Sequence, residues 1–79
     1  MSVEETIRKT VLRIVRKEYF DFKAETTFKD LEADSLDIVQ ILVALEDEFD
    51  IEINDEDLQN VTNMGEFIAY IESRIAAKG

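Results

Sequence analysis

Ser35 is the residue on which any chemistry of this chain has to turn. It lies between Asp34 and Leu36 in a sequence of 79 residues that contains no His and no Cys. Without imidazole or thiol there is no base to activate a serine as nucleophile, no Ser-His or Cys-His pairing, no zinc-ligand set and no disulfide. A lone serine directly after an aspartate N-cap is ordinarily a helix starter. Three features favour a functional role. A long loop delivers the chain to this point. The hydroxyl falls at the positive end of a helix dipole, where an attached phosphate is electrostatically favoured. And the chain has no other credible reactive group. Covalent chemistry here means that the chain is the modified substrate of another enzyme, not an enzyme itself.

The elements that position Ser35 are expected to be helices. Ser2 with Glu5 has the form of a capping box, and Val3, Ile7, Val11, Ile14 and Val15 recur at helical spacing, with Lys9, Arg13 and Arg16 on the opposite side. This predicts a first helix from Val3 to Glu18. Phe20 to Ala33 has no sustained period and reads as a long loop pinned by Phe28 and Leu31. Asp34 caps a second helix that runs to Phe49, with Asp37 adding negative charge to its first turn. Asn54 or Asp55 caps a short third helix, Asp55 to Asn60. Asn63 with Glu66 opens the last, in which Met64, Phe67, Ile68, Ile71 and Ile75 follow one face. Residues 50–54 alternate, but five isolated residues cannot make a sheet. The expected fold is all-α: a four-helix bundle of three long helices and one short third helix, with residues 1–79 as a single domain.

The second helix carries two apolar faces. Wound at about 100° per residue, Ile38, Ile41, Leu42, Leu45 and Phe49 form a core stripe, while Leu36, Val39 and Val43 form another on nearly the opposite side. Either a neighbouring helix covers the second stripe or it is an exposed docking strip with a polar rim of Gln40, Glu46 and Asp47. The charge pattern favours docking. Residues 1–29 carry five acids and seven bases, whereas residues 30–57 carry twelve acids and no base, within an overall charge of -10. Rim acids of this density steer a basic partner.

The same charge argues against nucleic acid and anionic membranes as partners. No apolar run approaches the ~20 residues of a membrane span, so no membrane insertion is expected. The N-terminus is no signal peptide, and a cytoplasmic location is expected. Asp50, Glu52 and Asn54 have alternate-residue oxygen spacing. An EF-hand loop would need Gly where Asp55 stands and Glu where Val61 stands, so no metal site is expected.

Asp34-Ser35-Leu36, followed by Asp37-Ile38-Val39 and Ala44-Leu45-Glu46-Asp47-Glu48-Phe49, resembles the acyl carrier protein family of the free-standing bacterial type. The likeness takes in Leu31-Glu32-Ala33 before the serine, Ile53-Asn54-Asp55-Glu56 and Tyr70-Ile71, and so covers nearly the whole chain. The resemblance implies that Ser35 carries 4'-phosphopantetheine through a phosphodiester, installed by a phosphopantetheinyl transferase from coenzyme A with magnesium. The thiol of that arm would hold acyl groups as thioesters. By position, Asp34 and Leu36 would flank the attachment site. Asp37, Val39, Gln40, Val43, Glu46, Asp47, Asp55 and Glu56 would meet acyl-processing enzymes with basic docking patches. Phe49, Ile53, Ile68 and Ile71 would line the interior. A monomer is expected. The chain departs from the family pattern at Gln40, where Glu is usual, at Glu32, where Gly is common, at Asn54, where Pro is usual, and in a shorter loop after the first helix. The resemblance implies service in fatty acid, polyketide or specialised lipid biosynthesis, and these departures leave room for a carrier of a dedicated pathway. The rival readings are a peptidyl or aminoacyl carrier and a cofactor-free acidic interaction domain.

Overall fold

The computed structural model describes residues 2–78 as four helices: α1 (Val3–Ile14), α2 (Ser35–Phe49), α3 (Asp55–Leu58) and α4 (Met64–Lys78). Among the described residues there is no strand, as the isolated alternation at residues 50–54 implied. α1 packs on both α2 and α4. Their apolar faces meet in one core of Ile7, Val11, Ile41, Leu42, Leu45, Met64, Phe67, Ile68 and Ile71. Leu31 and Phe22 complete it from the loop, and Ile51 and Ile53 from the segment before α3.

α1 ends four residues before the Glu18 expected from periodicity. Arg16 adopts a left-handed backbone with φ 61°. Its N–H donates to the Arg13 carbonyl, and the Lys17 N–H donates to the Leu12 carbonyl. This is the paired closure that normally employs glycine, and an arginine in that role leaves no stop signal in the sequence. α3 is also shorter than expected, ending at Leu58, with residues 59 and 60 in turns.

The loop between α1 and α2 is held more firmly than its sequence suggested. Phe28 stacks edge-on against Phe67 with ring centroids 5.3 Å apart, and Leu31 is fully buried. Phe22, which showed no period to mark it, is buried as well. The Arg8 guanidinium lies 4.4 Å from the Phe22 ring centroid and donates to the Phe22 carbonyl at 2.6 Å. The loop backbone also receives the start of α4: the Met64 and Gly65 N–H groups donate to the Thr26 and Ala24 carbonyls at 2.7 and 2.8 Å. The end of α4 is tied back in turn, where Arg74 donates to the Glu52 carbonyl and Lys78 to the Phe49 carbonyl.

Candidate functional site: a serine at the head of α2

Ser35 is the first residue of α2 and is exposed. Asp34 is its N-cap, in extended backbone with φ -86° and ψ 179°. The Asp37 N–H donates to the Asp34 carboxylate at 2.8 Å, and the Asp34 N–H donates back to the Asp37 carboxylate at 3.4 Å. This reciprocal box satisfies two of the donors that a helix start leaves open. It fixes the turn in which the serine sits while leaving the hydroxyl facing water. Asp37 is therefore engaged inside the chain and half-buried.

The approach to the serine is a helical turn closed in left-handed backbone. The Leu31 N–H donates to the Thr27 carbonyl, the Glu32 N–H to Lys29 and the Ala33 N–H to Phe28. Glu32 carries φ 58°. Glycine is the usual residue at such a closure, because a Cβ is disfavoured in left-handed backbone. Glu32 has a compensation in Lys17, whose Nζ donates to its carboxylate at 2.9 Å. That hydrogen bond, and then the attraction of the opposite charge on each partner, hold the Glu32 carboxyl below its ordinary range and the Lys17 ammonium above its own, against desolvation. Residues 17 and 32 carry no shared sequence signal, so this pair becomes visible only in three dimensions.

The outer face of α2 is bare. Leu36, Val39 and Val43 are 65%, 54% and 58% exposed, so no neighbouring helix covers the second apolar stripe. Ile41, Leu42 and Leu45 of the core stripe are buried, with Ile38 and Phe49 half-buried against them. Gln40 and Asp47 are exposed beside the strip, as are Asp55 and Glu56 on α3. Glu46 differs from the other rim acids. It is half-buried, and its carboxylate accepts the Ile53 N–H at 3.0 Å. It anchors the extended segment that leads into α3. That segment has a second anchor in Tyr70, whose hydroxyl donates to the Asp57 carboxylate at 2.9 Å and accepts the Asn54 N–H at 3.2 Å. Desolvation, reinforced by Asp57, raises the Tyr70 hydroxyl above its ordinary value. Ile53, Ile68 and Ile71, expected to line the interior, are buried there.

This arrangement has no nucleophile–base pair, and among the described residues no group of acids is placed to hold a metal ion. What it offers is an accessible hydroxyl at a helix N-terminus beside an apolar strip. Residues 5–71 match the model of the phosphopantetheine attachment site family. The chain is also 38% identical over 74 residues to an acyl carrier protein of Streptococcus thermophilus, covering 94% of this chain and 97% of that one.

The chain belongs to the acyl carrier protein family.

An acyl carrier protein is not an enzyme: it is a carrier whose reactive group is a 4'-phosphopantetheine arm held on the protein, and that is the function of this chain. The fold agrees. A solution structure of a holo acyl carrier protein from Geobacter metallireducens superposes with a TM-score of 0.85, covering 99% of this chain and 91% of that one at 23% identity. The residues present suit the group. A serine hydroxyl can form a phosphodiester, and an exposed helix N-terminus tolerates the phosphate charge. The arm supplies the thiol that the polypeptide, with no Cys, does not have.

Proposed function

We propose that Ser35 is the residue that bears 4'-phosphopantetheine, and that this chain presents acyl groups to enzymes of fatty acid, polyketide or specialised lipid biosynthesis. The observation that carries the reading is the exposed hydroxyl of Ser35 at the first position of a capped helix. A phosphopantetheinyl transferase, using coenzyme A and magnesium, is the modifying partner, with Asp34 and Leu36 flanking its target. The acyl-processing enzymes dock basic patches over Val39, Val43 and Gln40, with Asp37, Asp47, Asp55 and Glu56 as the nearby acids and Glu46 holding the edge of the surface in place. Gln40, Glu32 and Asn54 set the chain apart from the usual family pattern and favour a dedicated pathway. The chain acts as a single carrier domain, a monomer, in the cytoplasm. Among the described residues no helix is long and apolar enough to cross a membrane.

The test is mass spectrometry after incubation with coenzyme A, magnesium and a broad-specificity transferase. One phosphopantetheine per chain is expected, and none on Ser35→Ala. A mass gain that survives Ser35→Ala would move the attachment elsewhere. No gain on the folded wild type would refute the reading.

A further inference from the structure

We propose that Lys17 is a positioning residue for the loading of Ser35: its ion pair with Glu32 holds the left-handed turn before the serine in the conformation that a transferase engages. This rests on the attachment reading given above and adds to the site a residue from the turn that closes α1.

The chain between the core and the serine is short. Leu31 is fully buried, and Asp34 is locked into the cap of α2 through Asp37. Only Glu32 and Ala33 lie between these two fixed points, so the backbone at Glu32 sets how the chain enters the cap. Its φ of 58° lies in a region where a Cβ is disfavoured. Released, Glu32 would relax toward right-handed or extended backbone. The closure made by the Glu32 N–H on the Lys29 carbonyl and the Ala33 N–H on the Phe28 carbonyl would then open. Asp34 would be drawn off the helix start, and the first turn of α2, where Ser35 stands, would fray.

Lys17 opposes that release. Its Nζ lies 2.9 Å from the Glu32 carboxylate, and its side chain is only 20% exposed against 78% for Glu32. A lysine already covered along its stem gives up little freedom in meeting the carboxylate, unlike a pair of two free side chains. Lys17 is itself placed by the left-handed Arg16 and by its own N–H on the Leu12 carbonyl. The pair thus ties the approach of the serine to the end of α1, and no other described ion pair reaches residues 27–37. In loading, the Ser35 Oγ bonds to the phosphorus that carries the pantetheine. The bond from that phosphorus to the nucleotide part of coenzyme A breaks, adenosine 3',5'-bisphosphate leaves, and the hydroxyl proton passes to a base of the transferase. Such a displacement depends on the attacking oxygen being held in place, which is what the turn and the cap supply.

The test is the initial rate of transfer from coenzyme A, with magnesium and a broad-specificity transferase, as the concentration of the carrier chain is varied. It is run at a temperature where circular dichroism shows every variant folded. A released turn that the transferase cannot use dilutes the competent form, which raises KM and leaves kcat unchanged. Lys17→Met is expected to raise KM about threefold, the scale on which a partly exposed ion pair shifts an equilibrium. Glu32→Ala, which keeps the strain and loses the bond, should do the same. Glu32→Gly removes the strain that the bond opposes, so adding Lys17→Met to it should change nothing. Amide exchange at Glu32 and Ala33, measured without transferase, should quicken in Lys17→Met and in Glu32→Ala, but not when Lys17→Met is added to Glu32→Gly. An unchanged KM in Lys17→Met overturns the positioning role. So does a KM that Lys17→Met raises equally in the Glu32→Gly background, which would make Lys17 a direct contact of the transferase. If wild type takes up no phosphopantetheine, the attachment reading fails and the positioning role with it, while the exchange comparison still shows whether the pair holds the turn.

Discussion

Lys17 Nζ lies 2.9 Å from a carboxylate oxygen of Glu32, joining the residue after the left-handed end of α1 to the left-handed turn that precedes Ser35. A side chain at φ 58° is disfavoured and glycine is not, so the bond to Lys17 and the backbone strain oppose each other at one position. Glu32→Ala keeps the strain and loses the bond; its melting temperature should fall. Glu32→Gly loses both, and should melt above Glu32→Ala. Equal melting of the two variants would show that the left-handed backbone carries no cost here. Lys17→Met should lower the melting temperature of wild type but not of Glu32→Gly.

The pH dependence has a definite sign. Glu66 accepts from the Thr62 hydroxyl at 2.6 Å and the Thr62 N–H at 2.7 Å, and these bonds lower its carboxyl from the ordinary value of 4.5. A carboxyl depressed by folding adds stability above its unfolded value and loses it as pH falls through the folded one. Glu66→Gln should therefore melt below wild type at neutral pH, and the difference should shrink as pH falls below 4.5 and through the lowered value of the folded carboxyl. Glu32, lowered by Lys17, follows the same sign at acid pH. Lys17, raised from 10.5, contributes below that value and loses its contribution as pH rises past it. A Glu66→Gln deficit that persists unchanged into acid would contradict this.

Gly65 is small because of Ala24. A Cβ added at Gly65 would stand 2.9 Å from the Ala24 Cβ and 3.2 Å from the Ala24 carbonyl oxygen, closer than side chains pack. Gly65→Ala should push the loop from the start of α4 and cost about 1–3 kcal/mol in urea denaturation. Ala24→Gly in the same chain should recover part of the loss. A variant as stable as wild type would mean that the loop yields freely.

Neighbouring acids on α2 should separate cleanly. The Glu46 carboxylate accepts the Ile53 N–H, whereas Asp47 is exposed. Glu46→Ala should speed hydrogen exchange at the Ile53 amide and lower stability by about 1–3 kcal/mol. Asp47→Ala should leave both nearly unchanged. Identical exchange at Ile53 in the two variants would remove the anchoring role of Glu46.

How much could be read before folding follows from the range of each interaction. The capped start of α2, its two apolar faces and the core face of α4 depend on residues within a turn or two of one another. Asp34 with Asp37, the Leu36–Val39–Val43 strip, and Phe67 with Ile68 and Ile71 were therefore legible in the sequence, as was the attachment-site family through the residues around Ser35. The end of α1 was not, because Arg16 enters left-handed backbone without the glycine that announces such a turn. Tertiary structure alone decided which charges are free. Asp37 and Glu46 looked like neighbours of Asp47 on an acidic surface, yet one closes a cap and the other holds Ile53, seven residues away. Lys9 and Arg13 lie on the solvated outer face of α1, as their spacing implied, but only the packing of α1 on α2 brings them beside Ala44 and Glu48. Local pattern determines which face of a helix is apolar. Which polar group meets which depends on contacts between segments far apart in the chain, and those exist only once the bundle has closed.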